Sequence, residues 1–245
     1  MGKLPLFLLP YAGGSEHIYA RWKALLPEWI DPHPLMLPGR GRRMGEKPLT
    51  DWPDAIADTV QGVLQSGPRG PYAIFGHSLG GVLALELAHA LVGCGRGEPV
   101  WLGVSAATSP VAREEKTHWL DCPEEEFRER LIELNGTPKE LLDSQELMDI
   151  MMPVLRADFH LSGTYRGVDR EPLTCPLSVF DGTEDTELHE KPDAIAGWDR
   201  ETTGPVRHLT IEGGHFYVNS QAARLAELVR REIDCALTYS NARVC

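Results

Sequence analysis

Short apolar runs recur along the chain and alternate with segments of helical period. The runs cover residues 4–9, 35–37, 72–75, 100–104, 177–180 and 206–211. Continuous hydrophobicity, without alternation of polar and apolar residues, is typical of strands that are covered on both faces, as in a parallel sheet. The segments between the runs, such as 54–64 and 82–91, have the length and apolar spacing of helices. This alternation predicts an α/β fold with an open, mostly parallel central sheet flanked by helices.

The regularity stops between residues 112 and 173. This stretch contains no strand-like run, but it has an acidic helix start at 123–126 and apolar residues at helical spacing. Two interpretations remain open on the pattern alone. The helices either belong to the main body, or they form a lid inserted after a core strand, with an apolar face that lines a ligand pocket. At the end of the chain, a last helix is predicted over 221–237 and a frayed tail after it.

The composition fits a single globular domain, with or without an insertion. Hydrophobic residues make up 42% of the 245 residues, which is enough for a sizeable core. Acidic residues outnumber basic ones by 36 to 24, and the formal net charge is -12. A field of this sign repels nucleic acid and anionic membranes, so neither is a predicted partner.

The five cysteines are scattered and have no spacing typical of metal ligands. An odd, scattered set favours free thiols in a reducing compartment. No apolar run is long enough to span a membrane. The run 4–9 fits a first strand better than a signal peptide, because no convincing cleavage site follows it. We therefore expect a cytoplasmic protein without a metal site.

The pentapeptide Gly76-His77-Ser78-Leu79-Gly80 follows one predicted strand and opens a predicted helix. This is the strand–turn–helix context of the G-x-S-x-G elbow, whose sharp turn holds a serine side chain above the sheet at the positive end of a helix. The flanking glycines leave room for the strained backbone. Ser78 is therefore the predicted nucleophile.

A serine hydroxyl is a poor nucleophile without a base, and nine histidines compete for that role. His215 is the candidate, because it stands just past the last predicted strand and before the last helix, where the α/β-hydrolase fold presents its histidine. His77, inside the elbow, is expected to point away from Ser78. The acid should follow the preceding strand, where Asp181 and Asp185 could both orient the imidazole. A glycine that lets the chain turn, with an acid three positions later, favours Asp185.

The tetrahedral intermediate of acyl transfer needs two backbone N–H donors. One is expected from Leu79, the residue after the nucleophile. The other should come from the glycine-containing loop at 11–15, after the first strand, where Ala12 is the best candidate.

In their order along the chain, these motifs resemble those of the type II (stand-alone) thioesterases of polyketide and non-ribosomal peptide biosynthesis. The resemblance covers nearly the full length. It rests on the segments 9–15, 37–40 with Arg43, 75–80, 136–138, 155–159 and 213–216. It implies an α/β-hydrolase core over 1–111 and 174–238, a helical lid inserted over 112–173, and a tail over 239–245.

The resemblance also assigns roles to residues. Ser78, Asp185 and His215 become a catalytic triad, and the amides of Ala12 and Leu79 form the oxyanion hole. The chain departs from the family pattern at Leu79, where methionine is commoner, and at Gly81, where alanine is usual. It departs also in the acidic loop 181–186, which lacks the proline often found after the aspartate.

The reaction that the resemblance implies is hydrolysis of an acyl group from the phosphopantetheine thiol of an acyl or peptidyl carrier protein. No metal or redox cofactor is implied. The alternatives are a medium-chain fatty acyl thioesterase, a general carboxylesterase, and a hydrolase-fold protein that binds without turnover.

Two sets of contacts are predicted for such a substrate. Met151 and Met152 of the lid should meet the acyl group, because flexible thioether side chains adapt to varied ligands. Carrier proteins are usually acidic, and this chain is itself negative, so docking would need a local basic patch. The segment 40–43 provides one, just beyond a predicted strand at the same sheet edge as the elbow. Arg42 is the predicted docking residue, because Arg43 matches the family pattern and can pair with nearby acids.

Overall fold

Six parallel strands form the centre of the molecule. The computed structural model describes residues 2–66, 70–134, 136 and 142–244. The strand order is β2-β1-β3-β4-β5-β6, and every neighbouring pair is parallel. The strands are β1 (Leu4–Leu9), β2 (Ile30–Pro34), β3 (Ala73–His77), β4 (Trp101–Ser105), β5 (Leu177–Gly182) and β6 (Val206–Ile211). The parallel sheet predicted from the apolar runs is thus confirmed.

The second strand is not where the apolar pattern predicts it. The run 35–37 is buried but follows β2, which occupies Ile30–Pro34. This strand lies at the edge of the sheet, pairs only with β1, and buries only Ile30. It also contains Pro32 and Pro34, which lack an N–H and are tolerated at an edge where no further partner is needed. A half-exposed edge strand does not need continuous hydrophobicity, and the pattern missed it for that reason.

Helices cover both faces of the sheet. They are α1 (Trp22–Leu25), α2 (Trp52–Ser66), α3 (Leu79–Gly93), α4 (Glu124–Leu134), α5 (Gln145–Thr164), α6 (Thr186–His189), α7 (Tyr217–Ser220) and α8 (Ala222–Val244). Short 3-10 turns occur at Glu16–Tyr19, Gly41–Arg43, Pro110–Ala112, His118–Leu120 and Ala196–Glu201. Helix α8 extends past the predicted end at residue 237, so the backbone of the predicted tail is helical up to Val244.

The apolar side chains form one layer on each side of the sheet. On one face, Ile74 and Leu102 pack with side chains of α2 and α3. On the other, Phe75, Trp101 and Phe180 pack with side chains of α1 and α8. Successive strand residues point to opposite faces, so both faces must be apolar when both are covered. This explains the continuous hydrophobicity of the runs.

Residues between β4 and β5 form a helical insertion that contains α4 and α5. Among the described residues of this stretch no strand occurs apart from one isolated bridge at Leu173. The insertion has a small apolar cluster of its own, formed by Trp119, Cys122, Phe127, Leu131, Met148 and Leu155. Of the motif predicted at 136–138, Thr137 and Pro138 lie outside the described residues.

A buried ion pair attaches the end of the insertion to the body. Glu86 on α3 accepts hydrogen bonds from both terminal nitrogens of Arg170, at 2.8 and 2.6 Å, and from the Tyr165 hydroxyl at 2.6 Å. Glu86 is almost fully buried. A buried carboxylate is tolerated only when it is paired and hydrogen-bonded, as here. The insertion is therefore anchored to α3, the helix that directly follows Ser78.

Candidate active site

Ser78 lies in a sharp turn between β3 and α3. Its backbone has φ 57° and ψ -117°, a conformation that non-glycine residues rarely adopt. A Cβ at Gly76 would collide with the carbonyl group of Gly80, so a side chain there cannot coexist with the turn. The amide of Ser78 is held by the carbonyl oxygen of Ser105 at 2.7 Å. The turn therefore presents the hydroxyl at the N-terminal end of a 15-residue helix.

The side chains of Ser78, His215 and Asp185 form one hydrogen-bonded chain. His215 Nε2 lies 3.0 Å from Ser78 Oγ, and His215 Nδ1 lies 2.7 Å from Asp185 Oδ2. His215 follows β6 after Gly213, which has φ +127°. Asp185 follows β5 and is buried. Three separate strand ends thus supply the three side chains.

The other candidate acid, Asp181, has different partners. Its Oδ2 lies 3.0 Å from His189 Nε2, and its Oδ1 accepts a hydrogen bond from the Thr210 hydroxyl at 3.3 Å. Asp181 is still part of β5, whereas Asp185 lies beyond the turn. Asp185 is therefore the carboxylate in contact with His215.

The loop at 11–15 borders the cavity in front of Ser78. A hydrogen bond from the Gly14 amide to the Tyr11 carbonyl oxygen, 2.8 Å long, closes it into a turn. Gly13 in this turn has φ +76°, which favours glycine. Among the described residues, no turn or loop hydrogen bond has the amide of Ala12 as its donor. Leu79 is the first residue of α3, where the N–H groups have no partner within the helix. Both amides remain available to an acceptor near Ser78.

His77 belongs to a buried hydrogen-bond network behind the site. Its Nε2 lies 2.8 Å from the carbonyl oxygen of His215, and its Nδ1 lies 2.8 Å from Ser105 Oγ. Ser105 Oγ in turn lies 2.5 Å from the Tyr217 hydroxyl. A carbonyl oxygen can only accept, so Nε2 carries the proton and Nδ1 accepts from Ser105. The network fixes the backbone of the His215 loop against β3 and β4.

The interior position of His77 keeps its imidazole neutral. Burial, with a smaller contribution from the neighbouring His215, lowers its pKa from 6.5 to about 3. The sequence placed His77 in the elbow and away from Ser78, but nothing in its neighbourhood along the chain indicated Ser105 or Tyr217 as partners.

A cavity of about 410 Å³ opens beside Ser78 and His215. One wall is apolar and comes from the insertion: Trp119, Leu131, Leu134, Met151, Leu155 and Phe159. Charged side chains also line the cavity: Arg113, Lys116, Arg130, Glu187 and Lys191. Met151 and Met152 both pack against the apolar cluster of the insertion, but of the two only Met151 lines this cavity.

One ion pair at this cavity joins the insertion to the loop that carries Asp185. Arg130 on α4 contacts both carboxylate oxygens of Glu187 on α6, at 2.6 and 2.7 Å. The hydrogen bonds with Arg130 lower the pKa of Glu187, and those with Glu187 raise the pKa of Arg130. The pattern of the sequence did not predict this contact between α4 and α6.

The three arginines of segment 40–43 have different environments. Arg40 is buried against Asp158, and Arg43 pairs with Asp58 and Glu46. Arg42 is exposed and lines a groove beside β2 and α2, separate from the cavity at Ser78. The structure thus does not bring Arg42 together with the other predicted site residues.

Comparison with known proteins identifies the family. Residues 4–233 match the model of the thioesterase domain. The chain belongs to the thioesterase family. This thioesterase is 32% identical over 235 residues to the gramicidin S biosynthesis protein GrsT of Aneurinibacillus migulanus, covering 96% of this chain and 91% of that protein.

Solved structures resemble it over the same extent. The structure of ClbQ from the colibactin NRPS/PKS pathway superposes with a TM-score of 0.89 at 31% identity, covering 97% of this chain and 100% of that one. The type II thioesterase BorB from the borrelidin biosynthetic cluster superposes with a TM-score of 0.83 at 30% identity, covering 94% and 93%. The protein is a thioester hydrolase with the α/β-hydrolase fold.

Membrane-spanning helices and metal-binding clusters are both absent from the described residues. None of the helices combines the length and the hydropathy of a membrane span. No group of three or more histidine, cysteine, aspartate or glutamate side chains in the same residues is arranged to hold a metal ion.

The depressed pKa of His77 predicts a specific loss of stability in acid. Between pH 6.5 and about 3 the unfolded chain binds a proton at this residue that the folded chain does not. The free energy of unfolding therefore falls as the pH falls, by up to ~1.4 kcal/mol per pH unit from this group. Urea unfolding between pH 4 and 8 should show a shallower acid loss in His77→Gln than in the wild type. His89, whose pKa is lowered to about 4, is retained in both proteins. If the free energy of unfolding depended on pH equally in both proteins, that result would contradict a neutral, buried His77.

Proposed function

We propose that this thioesterase hydrolyses acyl thioesters on the phosphopantetheine arm of acyl or peptidyl carrier proteins, for editing or release in polyketide or non-ribosomal peptide synthesis. One observation carries the proposal. The hydrogen-bonded chain of Ser78, His215 and Asp185 opens into a cavity with an apolar wall, in a chain that shares its family with proteins of such pathways. The free thiols of Cys94, Cys122, Cys175 and Cys235 fit a reducing compartment, and we propose the cytoplasm.

The proposed reaction begins with proton transfer from Ser78 Oγ to His215 Nε2. As Oγ bonds to the thioester carbon, the carbonyl electrons move to oxygen, and the amides of Ala12 and Leu79 stabilise the oxyanion. Asp185 accepts a hydrogen bond from the Nδ1–H of His215, which leaves Nε2 free to take the serine proton. No metal or redox cofactor is needed for these steps.

Collapse of this intermediate breaks the carbon–sulfur bond. The pantetheine thiol leaves with the proton held by His215, and because its pKa is near ~8.5 it leaves more readily than an amine. Water then attacks the acyl-serine, gives its proton to His215, and releases the carboxylic acid while Ser78 regains its hydrogen.

Substitutions in the hydrogen-bonded chain test the assigned roles. Ser78→Ala should lower turnover on the order of a millionfold, because the nucleophile is lost. Asp185→Asn should lower it by roughly ten-thousandfold, because the amide favours the wrong imidazole tautomer. Asp181→Asn is the matched control with a milder effect, since Asp181 contacts His189 and Thr210 instead. Hydrolysis is measured on an acyl-pantetheine thioester, with folding checked by circular dichroism. A larger loss of turnover in Asp181→Asn than in Asp185→Asn would assign the acid of the triad to Asp181.

We propose that the insertion over residues 112–173 acts as the lid of the acyl site and that its apolar wall selects the acyl group. Met151 and Met152 are adjacent on α5, but only Met151 lines the cavity. Met151→Phe should shift the preference toward shorter acyl chains, because it fills part of the cavity. Met152→Phe should leave the chain-length profile unchanged. The profiles are measured as kcat/KM over a series of acyl-pantetheines. If Met151→Phe lost stability without a change in its chain-length profile, Met151 would have only a packing role in the protein interior.

We propose Arg42 as a docking residue for the carrier protein. In the described residues its guanidinium forms neither an ion pair nor a hydrogen bond, unlike Arg40 and Arg43. An exposed, unpaired cation in a strongly negative protein can attract an acidic partner locally.

Steady-state hydrolysis of an acyl-carrier protein, compared with that of acyl-coenzyme A, tests both the role of Arg42 and the substrate class. Arg42→Glu should raise KM for an acyl-carrier protein severalfold, more at low salt, with little change for acyl-coenzyme A. Arg224→Glu on α8 makes the same change in net charge at another exposed position and should have a smaller effect. Equal losses on both substrates would exclude docking by Arg42. Faster cleavage of simple esters than of either thioester by the wild type would favour a carboxylesterase.

A further inference from the structure

A second buried ion pair lies close to the site and plays no part in the reaction described above. Arg40 follows β2, and Asp158 belongs to α5 in the insertion. Both side chains are almost completely buried, with 3% and 1% of their surface exposed. Arg40 Nη2 donates to Asp158 Oδ1 at 2.7 Å, and Arg40 Nη1 contacts Oδ2. This pair joins two segments that are 118 residues apart in the chain.

The ion pair also binds the loop at 11–15. The Gly13 amide donates to Asp158 Oδ2 at 2.6 Å, and Arg40 Nη1 donates to the Gly14 carbonyl oxygen at 3.4 Å. Leu155, one turn before Asp158 on α5, packs so closely on the loop that a Cβ at Gly13 would lie 2.5 Å from its Cδ2. Helix α5 therefore holds this loop by a charge-assisted hydrogen bond and by packing.

These contacts control the peptide group that carries the Ala12 amide. The Tyr11 carbonyl and the Ala12 N–H belong to one planar trans peptide and point in opposite directions. The Tyr11 carbonyl oxygen accepts from the Gly14 amide, and Gly14 is held by Arg40. On the other side of Ala12, the next peptide is held through the Gly13 amide. The direction of the Ala12 N–H is thus fixed by hydrogen bonds on both sides.

Stability alone gives little reason for this arrangement. Burying two charges is expensive, and apolar side chains of similar volume in place of a buried ion pair are often neutral or stabilising. A fixed donor is valuable in an oxyanion hole, because it needs no reorganisation when charge develops on the substrate.

We propose that Asp158 and Arg40 are positioning residues, which orient the Ala12 amide toward the oxyanion by holding the Gly13 and Gly14 peptide groups. This inference rests on the proposed function of Ser78 and Ala12. It adds a role for the insertion: besides lining the cavity, α5 completes the geometry of the reaction centre.

Two double variants separate the hydrogen bond from the buried charge. Arg40→Met/Asp158→Asn removes both charges but keeps a side-chain oxygen that can accept from the Gly13 amide. Arg40→Met/Asp158→Leu removes the charges and the acceptor. Neither variant leaves one charge buried alone, which favours folding of both. If the leucine variant does not fold, Arg40→Met/Asp158→Ala takes its place. Glu86→Gln perturbs the other buried ion pair, which does not contact the loop.

The main measurement is the affinity of an acyl-pantetheine trifluoromethyl ketone, which forms a tetrahedral hemiketal with the serine hydroxyl and places an oxyanion in the hole. A non-reacting thioether analogue reports ground-state binding. The leucine variant should bind the ketone ~10- to 100-fold more weakly, less than the loss for outright removal of a donor. Its kcat should fall in parallel, while KM and thioether affinity stay near the wild type. The asparagine variant and Glu86→Gln should retain ketone affinity within severalfold.

Equal ketone affinity in the leucine and asparagine variants would overturn the proposal, as would equal losses of ketone and thioether affinity. Both outcomes differ from a failure of the proposed function. In that case the wild type itself would not cleave acyl-carrier thioesters, while the ketone comparison would still report on the oxyanion hole.

Discussion

The contact between the end of β1 and the first turn of α3 sets the geometry of the site. Gly80 touches the backbone so closely that a Cβ there would collide with the carbonyl groups of Leu9 and Pro10. This approach brings the loop after β1 beside the turn that carries Ser78. The amides of Ala12 and Leu79, which we propose as the oxyanion donors, belong to these two adjacent segments. The lack of a side chain at Gly80 is thus required for the close approach of these two segments.

Buried polar groups maintain that geometry around the reacting atoms. His77 connects the His215 loop to β4, and Asp158 connects the loop at 11–15 to α5. Each of these groups has partners for its hydrogen-bonding atoms, so the low dielectric of the interior strengthens the contacts. The reacting side chains come from separate strand ends, and this second set of contacts fixes their relative positions.

Local motifs in the sequence were enough to find the strands of the sheet centre, the elbow at Ser78 and the position of His215. Long-range contacts were not predictable in the same way. Asp181 and Asp185 are both acidic residues after an apolar run, and only the fold shows that Asp181 is turned toward His189. Met151 and Met152 differ by one step of ~100° around a helix, which decides whether a side chain faces the cavity.

The same limit explains the remaining differences. Strand β2 was missed because an edge strand with prolines carries no apolar signature. The pairing of Arg40 with Asp158 spans two distant segments, and a charged residue in sequence is by default expected at the surface. Burial of a charge becomes visible only when its partner is known.

The separate apolar cluster of the insertion has a consequence for how this enzyme can change. Trp119, Phe127 and Met148 pack among themselves and not with the two layers on the sheet. Replacements within this cluster can therefore reshape the apolar wall of the cavity while the two layers on the sheet keep their packing. If this wall selects the acyl group, as we propose, the substrate range can change without a change in the folding of the sheet. The exception is the face of α5 that carries Leu155 and Asp158. Substitutions on that face would alter the proposed oxyanion site. We expect selection to conserve it, together with Tyr165 and Arg170, which anchor the insertion to Glu86.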